Sequence, residues 1–231
     1  ALLGQVTSRE PVADVTMDNG VRHSLWRIED AASMDRLTQV FDAMPALYIA
    51  DGHHRSAAAV RVAASRRAAN PEHAGTESYN FFLAVAFPHH QMRILPYNRA
   101  VTDLNGLSRQ EFLSKIGENF ALQAAPGAVT PTRPGEFGLY LSGCWYRLNI
   151  HPSLIPTRDP VARLDVSLLA DRLLAPLLGI ADIRRDKRID FIGGVRGLSE
   201  LEKRVDSGEM ATAFSLFPTR MEDLMAVADA G

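Results

Sequence analysis

The amino-acid sequence predicts a mixed α/β (α+β) fold, and three features of the chain lead to this class. Asn19-Gly20 separates two β-leaning runs, residues 12–18 and 21–28, which is a strong hairpin pattern. Beyond Asp30, apolar residues recur at helical spacing, which predicts an amphipathic helix with Asp30 at its N-cap. Further predicted strands and helices then alternate towards the C-terminus without internal repeats.

The middle of the chain predicts a strand, a polar loop and a helix in succession. Residues 46–50 form a short apolar run after Pro45, which predicts a strand buried on both faces. This run leads directly into Asp51-Gly52-His53-His54-Arg55, and an Ala- and Arg-rich helix is predicted over residues 56–69. A second apolar strand, a turn and a short return strand are predicted over residues 80–87, 88–91 and 92–95.

The second half of the chain predicts another lobe. Ser108 and Glu111 have capping-box spacing and predict a helix. Residues 125–135 are rich in Pro, Gly and Thr, which is typical of a connector. We therefore expect one lobe over residues 1–125 and a second α/β lobe over residues 126–231. Further strands are predicted at 138–141, 145–150, 188–192 and 210–217, and helices at 166–178, 198–205 and 220–228.

Composition narrows the class of protein. The 231 residues are 46% hydrophobic and 23% charged, which is ordinary for a globular protein with a sizeable core. A net charge of -2 makes nucleic acid an unlikely partner, and no apolar run approaches the length of a membrane helix. Because the chain has the single cysteine Cys144, we expect a soluble cytoplasmic protein. The composition is also compatible with a homo-oligomer. Because the chain begins at Ala1 without Met, we expect a fragment of a longer protein.

Residues 51–55 carry the strongest functional pattern. Gly52 permits positive φ and close approach of a ligand, and the following helix directs unpaired amides at the loop. His53 and His54 can donate to phosphate oxygens or move a proton, and Arg55 can hold a phosphate through two hydrogen bonds. These features favour an anion, so the sequence predicts a phosphate-binding loop.

Asp51 admits three roles that the spacing cannot separate. Its carboxylate could accept a proton from a substrate hydroxyl, coordinate magnesium, or cap the helix. The structural alternative is that Asp51 only caps the helix, the histidines are solvated, and Arg55 pairs with a nearby acid.

Weaker patterns occur elsewhere in the chain. Gly193 and Gly194 end a predicted strand before Arg196, so this second loop could also contact phosphate. A tight turn is the simpler explanation of the two glycines, so these residues are second-tier candidates. His89 and His90, together with the loop histidines and Asp51, raise the alternative of a transition-metal site, but without ligand-spaced motifs. Three arginines on the helix after the loop are interpreted as a solvated surface, at positions 61, 66 and 67.

Several blocks in the same order resemble the bacterial domain of unknown function 1015 family. They are Tyr48-Ile-Ala-Asp-Gly-His-His-Arg55, Arg163-Leu-Asp-Val-Ser-Leu-Leu169, Asp186-Lys-Arg-Ile-Asp-Phe-Ile-Gly-Gly194 and Val205-Asp-Ser-Gly-Glu209. The first block also resembles the phosphate-binding motif of the ParB/sulfiredoxin superfamily, with the free serine kinases most similar. That resemblance implies a ParB/sulfiredoxin-like core with additional α/β elements, and ATP or ADP with magnesium at residues 51–55.

The leading hypothesis is a nucleotide- or phosphate-binding protein, extended to a kinase that acts on the hydroxyl group of a free amino acid or similar small molecule. Asp51 would be the base or the magnesium ligand, and His54 would be the second catalytic candidate. Gly52, His53, His54 and Arg55 would bind phosphate. The alternative is a noncatalytic nucleotide-sensing or scaffold module.

Overall fold

The computed structural model describes residues 2–231, which form two compact units. The first unit is Ala1–Phe82 and the second is Leu83–Gly231, so the boundary lies well before the predicted one at residue 125. Each unit is described by itself below. The first contains a two-stranded antiparallel sheet and the second a six-stranded antiparallel sheet, both with helices, so the predicted α+β class is confirmed. Within residues 2–231, none of the helices combines the length and the apolar character needed to cross a membrane.

The first unit follows the local signals of the sequence. Its helices are α1 (Leu2–Thr7), α2 (Ala31–Asp42) and α3 (His53–Ala68), and its strands are β1 (Ala13–Thr16) and β2 (Arg22–Leu25). The predicted hairpin is confirmed, with Gly20 at φ 78° and the Asn19 side chain accepting from the Val21 amide. Asp30 caps α2 as predicted, because its carboxylate accepts from the Ser33 amide at 2.8 Å.

Two predicted strands are wrong. Residues 46–50 and 81–87 belong to no strand, and their apolar side chains are exposed, as the 65% exposure of Leu47 and the 95% exposure of Leu83 show. The predicted hairpin at 88–95 is also wrong, since a 3₁₀ turn (His89–Gln91) precedes residues without regular structure. Apolar runs indicate a tendency to burial, but a strand also needs a neighbouring backbone to pair with. Within residues 2–231 no strand pairs with either run.

The second unit is built on one sheet. Its strands are β3 (Tyr97–Val101), β4 (Phe120–Ala125), β5 (Glu136–Leu141), β6 (Cys144–Ile150), β7 (Ile189–Gly193) and β8 (Thr212–Leu216), and its helices are α4 (Arg109–Ile116), α5 (Asp165–Leu169), α6 (Ala175–Leu178), α7 (Ser199–Asp206) and α8 (Met221–Asp229). The strand order is β4-β6-β5-β8-β3-β7, with every pair antiparallel. Because β4 pairs with β6 along its whole length, the predicted connector at 125–135 joins two strands of one sheet.

Alternate residues of the strands supply two hydrophobic clusters on opposite faces of the sheet. Val101 and Phe214 belong to the cluster that includes residues of α4, α5 and α6, whereas Ala100 and Ala213 belong to the cluster that includes residues of α7. This period of two is the geometry of a pleated strand, and it produces a layer of helices on each face. The core of this unit is therefore the sheet itself with its two covering layers.

The predicted helix over 166–178 is confirmed, with a local irregularity. A π-helical turn, Ala170–Leu174, connects α5 to α6. Pro176 has no N–H for the carbonyl four residues earlier, that of Arg172. The Asn119 side chain donates to that carbonyl at 3.1 Å, so a distant loop supplies the hydrogen bond that proline cannot.

Candidate functional site

The predicted phosphate loop lies at the start of α3 in the first unit. Gly52 is the N-cap, with φ 81° and ψ 24°, a left-handed conformation that glycine adopts without steric cost. Helical hydrogen bonding begins with the Ser56 amide, which donates to the Gly52 carbonyl at 2.9 Å. The amides of residues 53–55 therefore have no acceptor within the helix.

The side chains around this helix start are accessible. Asp51, His53, His54 and Arg55 are all exposed. The Arg55 Nε atom would lie 3.9 Å from a Cβ built on Gly52, so the Arg55 side chain lies beside the N-cap residue of the helix. This arrangement places an arginine and two histidines at the end of the helix where the backbone dipole is positive.

The sequence predicts a strand before the loop and a helix after it, and the predicted strand is wrong. Residues 46–50 are exposed except for half-buried Tyr48, and they form no strand. The predicted helix is confirmed, and α3 begins at His53, three residues earlier than predicted. The geometry of the loop consequently comes from Gly52 and the first turn of α3.

The second glycine-rich loop lies in the other unit and has a packing explanation. The Gly194 amide donates to the Pro96 carbonyl at 2.8 Å, and a Cβ on Gly194 would lie 2.8 Å from Pro96 Cδ. Gly193 has open space around its Cα, and the Arg196 guanidinium lies 3.9 Å from the Glu200 carboxylate. Close approach to Pro96 therefore accounts for glycine at 194, and the amide of that residue is already engaged.

Metal ligands are not gathered at either loop. Among residues 2–231, no group of three or more His, Cys, Asp or Glu side chains is arranged to hold a metal ion. His89 and His90 are exposed on their 3₁₀ turn with their rings edge to face. Magnesium needs fewer protein ligands when substrate phosphates and water complete its octahedron, so Asp51 alone is chemically compatible with it.

Asp165 is a buried carboxyl group that sequence reasoning missed as a site residue. Its Oδ1 accepts from the Gly135 amide at 2.8 Å, while its Oδ2 is buried without a hydrogen-bond partner. Burial raises the pKa of Asp165 to about 6. It lines a cavity of about 160 Å³ with Arg163 and Arg220, and both arginines bind the buried carboxylate of Asp223. The Arg163–Leu169 block contained Asp165, but nothing in its pattern distinguishes a site residue from a helix cap.

Arg99 is the second missed residue. It is 5% exposed in the middle of the sheet and lines a cavity of about 410 Å³ together with residues of the 159–171 segment. Burial lowers the pKa of Arg99 to about 10, which leaves the guanidinium charged at neutral pH. No sequence signal could have found it, because Arg99 stands among ordinary strand residues.

Comparison with known proteins identifies a family. A family model described as "Protein of unknown function (DUF1015)" matches residues 1–167. No curated protein and no solved structure matches the chain significantly. The matched range contains the loop at residues 51–55 and also Arg99 and Asp165, whereas Gly193, Gly194 and Arg196 lie beyond it. The match covers well over half of the 231 residues, so the chain belongs to the DUF1015 family.

Proposed function

We propose that residues 51–55 bind the phosphate groups of a nucleotide or of another phosphorylated small molecule. The observation that carries this proposal is the start of α3, where left-handed Gly52 precedes the first free amides and the Arg55 side chain lies close to Gly52. Backbone amides at a helix N-terminus and a guanidinium fork are both well suited to phosphate oxygens. His53 and His54 add two more donors in the same turn.

The charge arrangement of α3 supports an anionic ligand. Acidic residues occupy the first turn of α7 and α8, as the helix dipole favours, whereas the first turn of α3, like those of α1 and α2, has none. The helix α3 differs from α1 and α2 in carrying His53, His54 and Arg55 in that turn. A basic residue near the positive end of a helix is electrostatically unfavourable in the free protein. A bound phosphate would be attracted to both the basic residue and the helix end, and this attraction would offset their repulsion. We therefore expect Arg55→Ala to abolish phosphate binding while changing the stability of the protein by less than about 1 kcal/mol.

Phosphoryl transfer to a small-molecule hydroxyl is the reaction that Asp51 would serve. The hydroxyl oxygen would attack the terminal phosphorus of ATP or ADP, and the bond from that phosphorus to the bridging oxygen would break. The hydroxyl proton would pass to the Asp51 carboxylate. If Asp51 instead holds magnesium against the phosphates, the proton would pass to the imidazole of His54. The products would be a phosphate ester and the nucleotide shortened by one phosphoryl group. The competing function is binding alone, in a nucleotide-sensing or scaffold module.

Calorimetric titration tests the binding proposal. The ligands are ADP, ATP and pyrophosphate, each with and without magnesium, on the parent chain and on Arg55→Ala and His54→Ala. Arg61→Ala is the matched control, since Arg61 is exposed on the same helix nearly two turns beyond the loop. Binding that is lost in Arg55→Ala and kept in Arg61→Ala supports the proposal. No binding of any of these ligands to the parent chain at millimolar concentration would refute it.

Turnover requires a separate assay. Labelled ATP or ADP is incubated with a panel of free amino acids, and phosphorylated products are separated and counted. If the chain is a kinase, the parent protein forms a labelled product, and Asp51→Asn forms none although it still binds the nucleotide. Binding without any product favours the sensing or scaffold module.

A further inference from the structure

Arg99 is a buried cation to which residues 2–231 offer no carboxylate partner. On β3 it lies between Phe191 of β7 and Phe214 of β8, in the interior of the sheet. Its Nη1 donates to the carbonyl oxygens of Tyr97 and Asn98, at 2.6 and 3.3 Å. The guanidinium carbon lies 5.0 and 4.4 Å from the ring centroids of Tyr97 and Phe191. Within residues 2–231, Arg99 forms no ion pair with a carboxylate, and no carboxylate contributes to its pKa.

These contacts compensate only part of the charge. Taking a guanidinium out of water is costly, and two carbonyl groups and two aromatic faces are weaker partners than a carboxylate. Guanidinium has five N–H donors, and both carbonyl oxygens accept from Nη1. Since Arg99 lines the cavity of about 410 Å³, its remaining donors can form the paired hydrogen bonds that an oxyanion accepts.

The rest of the cavity lining determines what kind of anion fits. Asp159 and Asp171 are exposed carboxylates that line the same cavity, so its net charge with Arg99 is negative. Asp159 Oδ1 is held by the amides of Val161 and Ala162, both at 2.9 Å, and this contact fixes the carboxylate at the start of the segment. A phosphate dianion would be repelled by the two acids. A molecule with one negative and one positive group would complement both the cation and the carboxylates that line the cavity.

Apolar side chains make up most of the remaining lining. They are mainly aliphatic and come from Val161, Val166, Ala170 and Ile183. The volume lies in the range of small-molecule pockets. We propose that this cavity binds a small zwitterion of the amino-acid type, with its carboxylate on Arg99 and its ammonium group towards Asp159 and Asp171. This site lies in the unit Leu83–Gly231 and does not rest on the phosphate loop.

The first test uses the unaltered chain. Thermal unfolding is measured with each of the twenty common amino acids in turn, and saturation-transfer NMR gives the affinity of those that stabilise the chain. Each ligand found is compared with two analogues of the same shape, the carboxylic acid without the amine and the amine without the carboxylate. For leucine these are 4-methylpentanoate and 3-methylbutylamine. Loss of either charge is expected to weaken binding about tenfold or more.

The second test removes the buried charge. Arg99→Met retains much of the side-chain length and is expected to fold, because an apolar residue replaces an uncompensated cation. It should no longer bind the amino acid, whereas Arg93→Met, at an exposed arginine of the same unit, should bind it with unchanged affinity. The proposal is overturned if no amino acid binds, if the analogues bind as well as the zwitterion, if Arg99→Met retains binding, or if inorganic phosphate alone binds.

Discussion

Asparagine at position 165 is expected to stabilise the unit Leu83–Gly231 increasingly as the pH rises. In the folded protein, burial raises the pKa of Asp165 from the ordinary 3.8 to about 6, so the folded state binds a proton more tightly than the unfolded state. The resulting contribution to stability is fully present below pH 3.8 and is lost as the pH rises through about 6. Asparagine is neutral throughout and keeps an oxygen for the Gly135 amide.

The magnitude follows from the pKa difference. A rise from 3.8 to about 6 corresponds to about 3 kcal/mol of lost stability in the wild type at pH 8, at roughly 1.4 kcal/mol per tenfold change in proton affinity. We therefore expect Asp165→Asn and the wild type to be similar near pH 4 and to differ by about 3 kcal/mol at pH 8. For a unit of this size, that difference corresponds to a thermal unfolding midpoint about 6–12 °C higher in Asp165→Asn than in the wild type at pH 8.

Guanidinium unfolding at several pH values from 4 to 8 measures this difference. Trp145 is buried in the second unit, where its indole donates to Glu202 at 2.7 Å, so its fluorescence reports on that unit. The chain has two tryptophans, and the measurement uses a Trp26→Phe background in both proteins so that Trp145 is the only source of signal. Parallel stability curves for the two proteins would show that Asp165 titrates at its ordinary pKa, and the reasoning from burial would then be refuted.

Four further substitutions test the packing of the second unit by the same unfolding measurement. Gly194→Ala should lower the free energy of unfolding by about 1–3 kcal/mol, because its Cβ would overlap Pro96. Gly193→Ala has open space for its Cβ and should change the free energy of unfolding by no more than about 0.5 kcal/mol. Equal effects of the two substitutions would contradict this explanation. Leu173→Ala, at a fully buried position, should cost about 2–5 kcal/mol, and a loss below about 1 kcal/mol would be inconsistent with this core. Ser108→Ala should cost about 1 kcal/mol through its helix cap, and an unchanged midpoint would argue against the cap.

Local chemistry explains which parts of the fold could be predicted. The hairpin at Asn19-Gly20, the cap at Asp30 and the capping box of Ser108 with Glu111 are all confirmed. Each depends on contacts within a few residues of chain, so the necessary partners are visible in the sequence. The turn between the strands predicted at 138–141 and 145–150 is local in the same sense, since Ser142 and Gly143 both adopt the positive φ that a two-residue hairpin requires.

Long-range pairing explains what could not be predicted. Strands are predicted at 46–50, 80–87 and 188–192, and only the last of these segments forms a strand. The difference is that Ile189–Gly193 pairs with β3, a strand more than eighty residues earlier in the chain. Apolar composition reports how strongly a segment avoids water, and it does not report whether another backbone is available beside it.

The candidate site was only partly predictable for a related reason. Residues 51–55 stand out because Gly, His and Arg occur together in a short span, and the structure places them at a helix start. Arg99 and Asp165 do not stand out, since their significance depends on burial by residues far along the chain. An arginine in a strand and an aspartate before a helix are ordinary in sequence, and only the fold shows that one charge is uncompensated and one oxygen is unpartnered.

Arg55 and Arg99 each depart from a rule that their surroundings obey, and the two departures can be tested separately. Arg55 is a basic residue at the positive end of a helix, and Arg99 is a buried cation in a strand of the sheet. Such departures cost stability in the free protein, and they are expected where a ligand offsets the cost. The loop belongs to the first unit and the cavity to the second. Phosphate binding lost in Arg55→Ala and amino-acid binding lost in Arg99→Met are therefore independent results, and failure of one leaves the argument for the other intact.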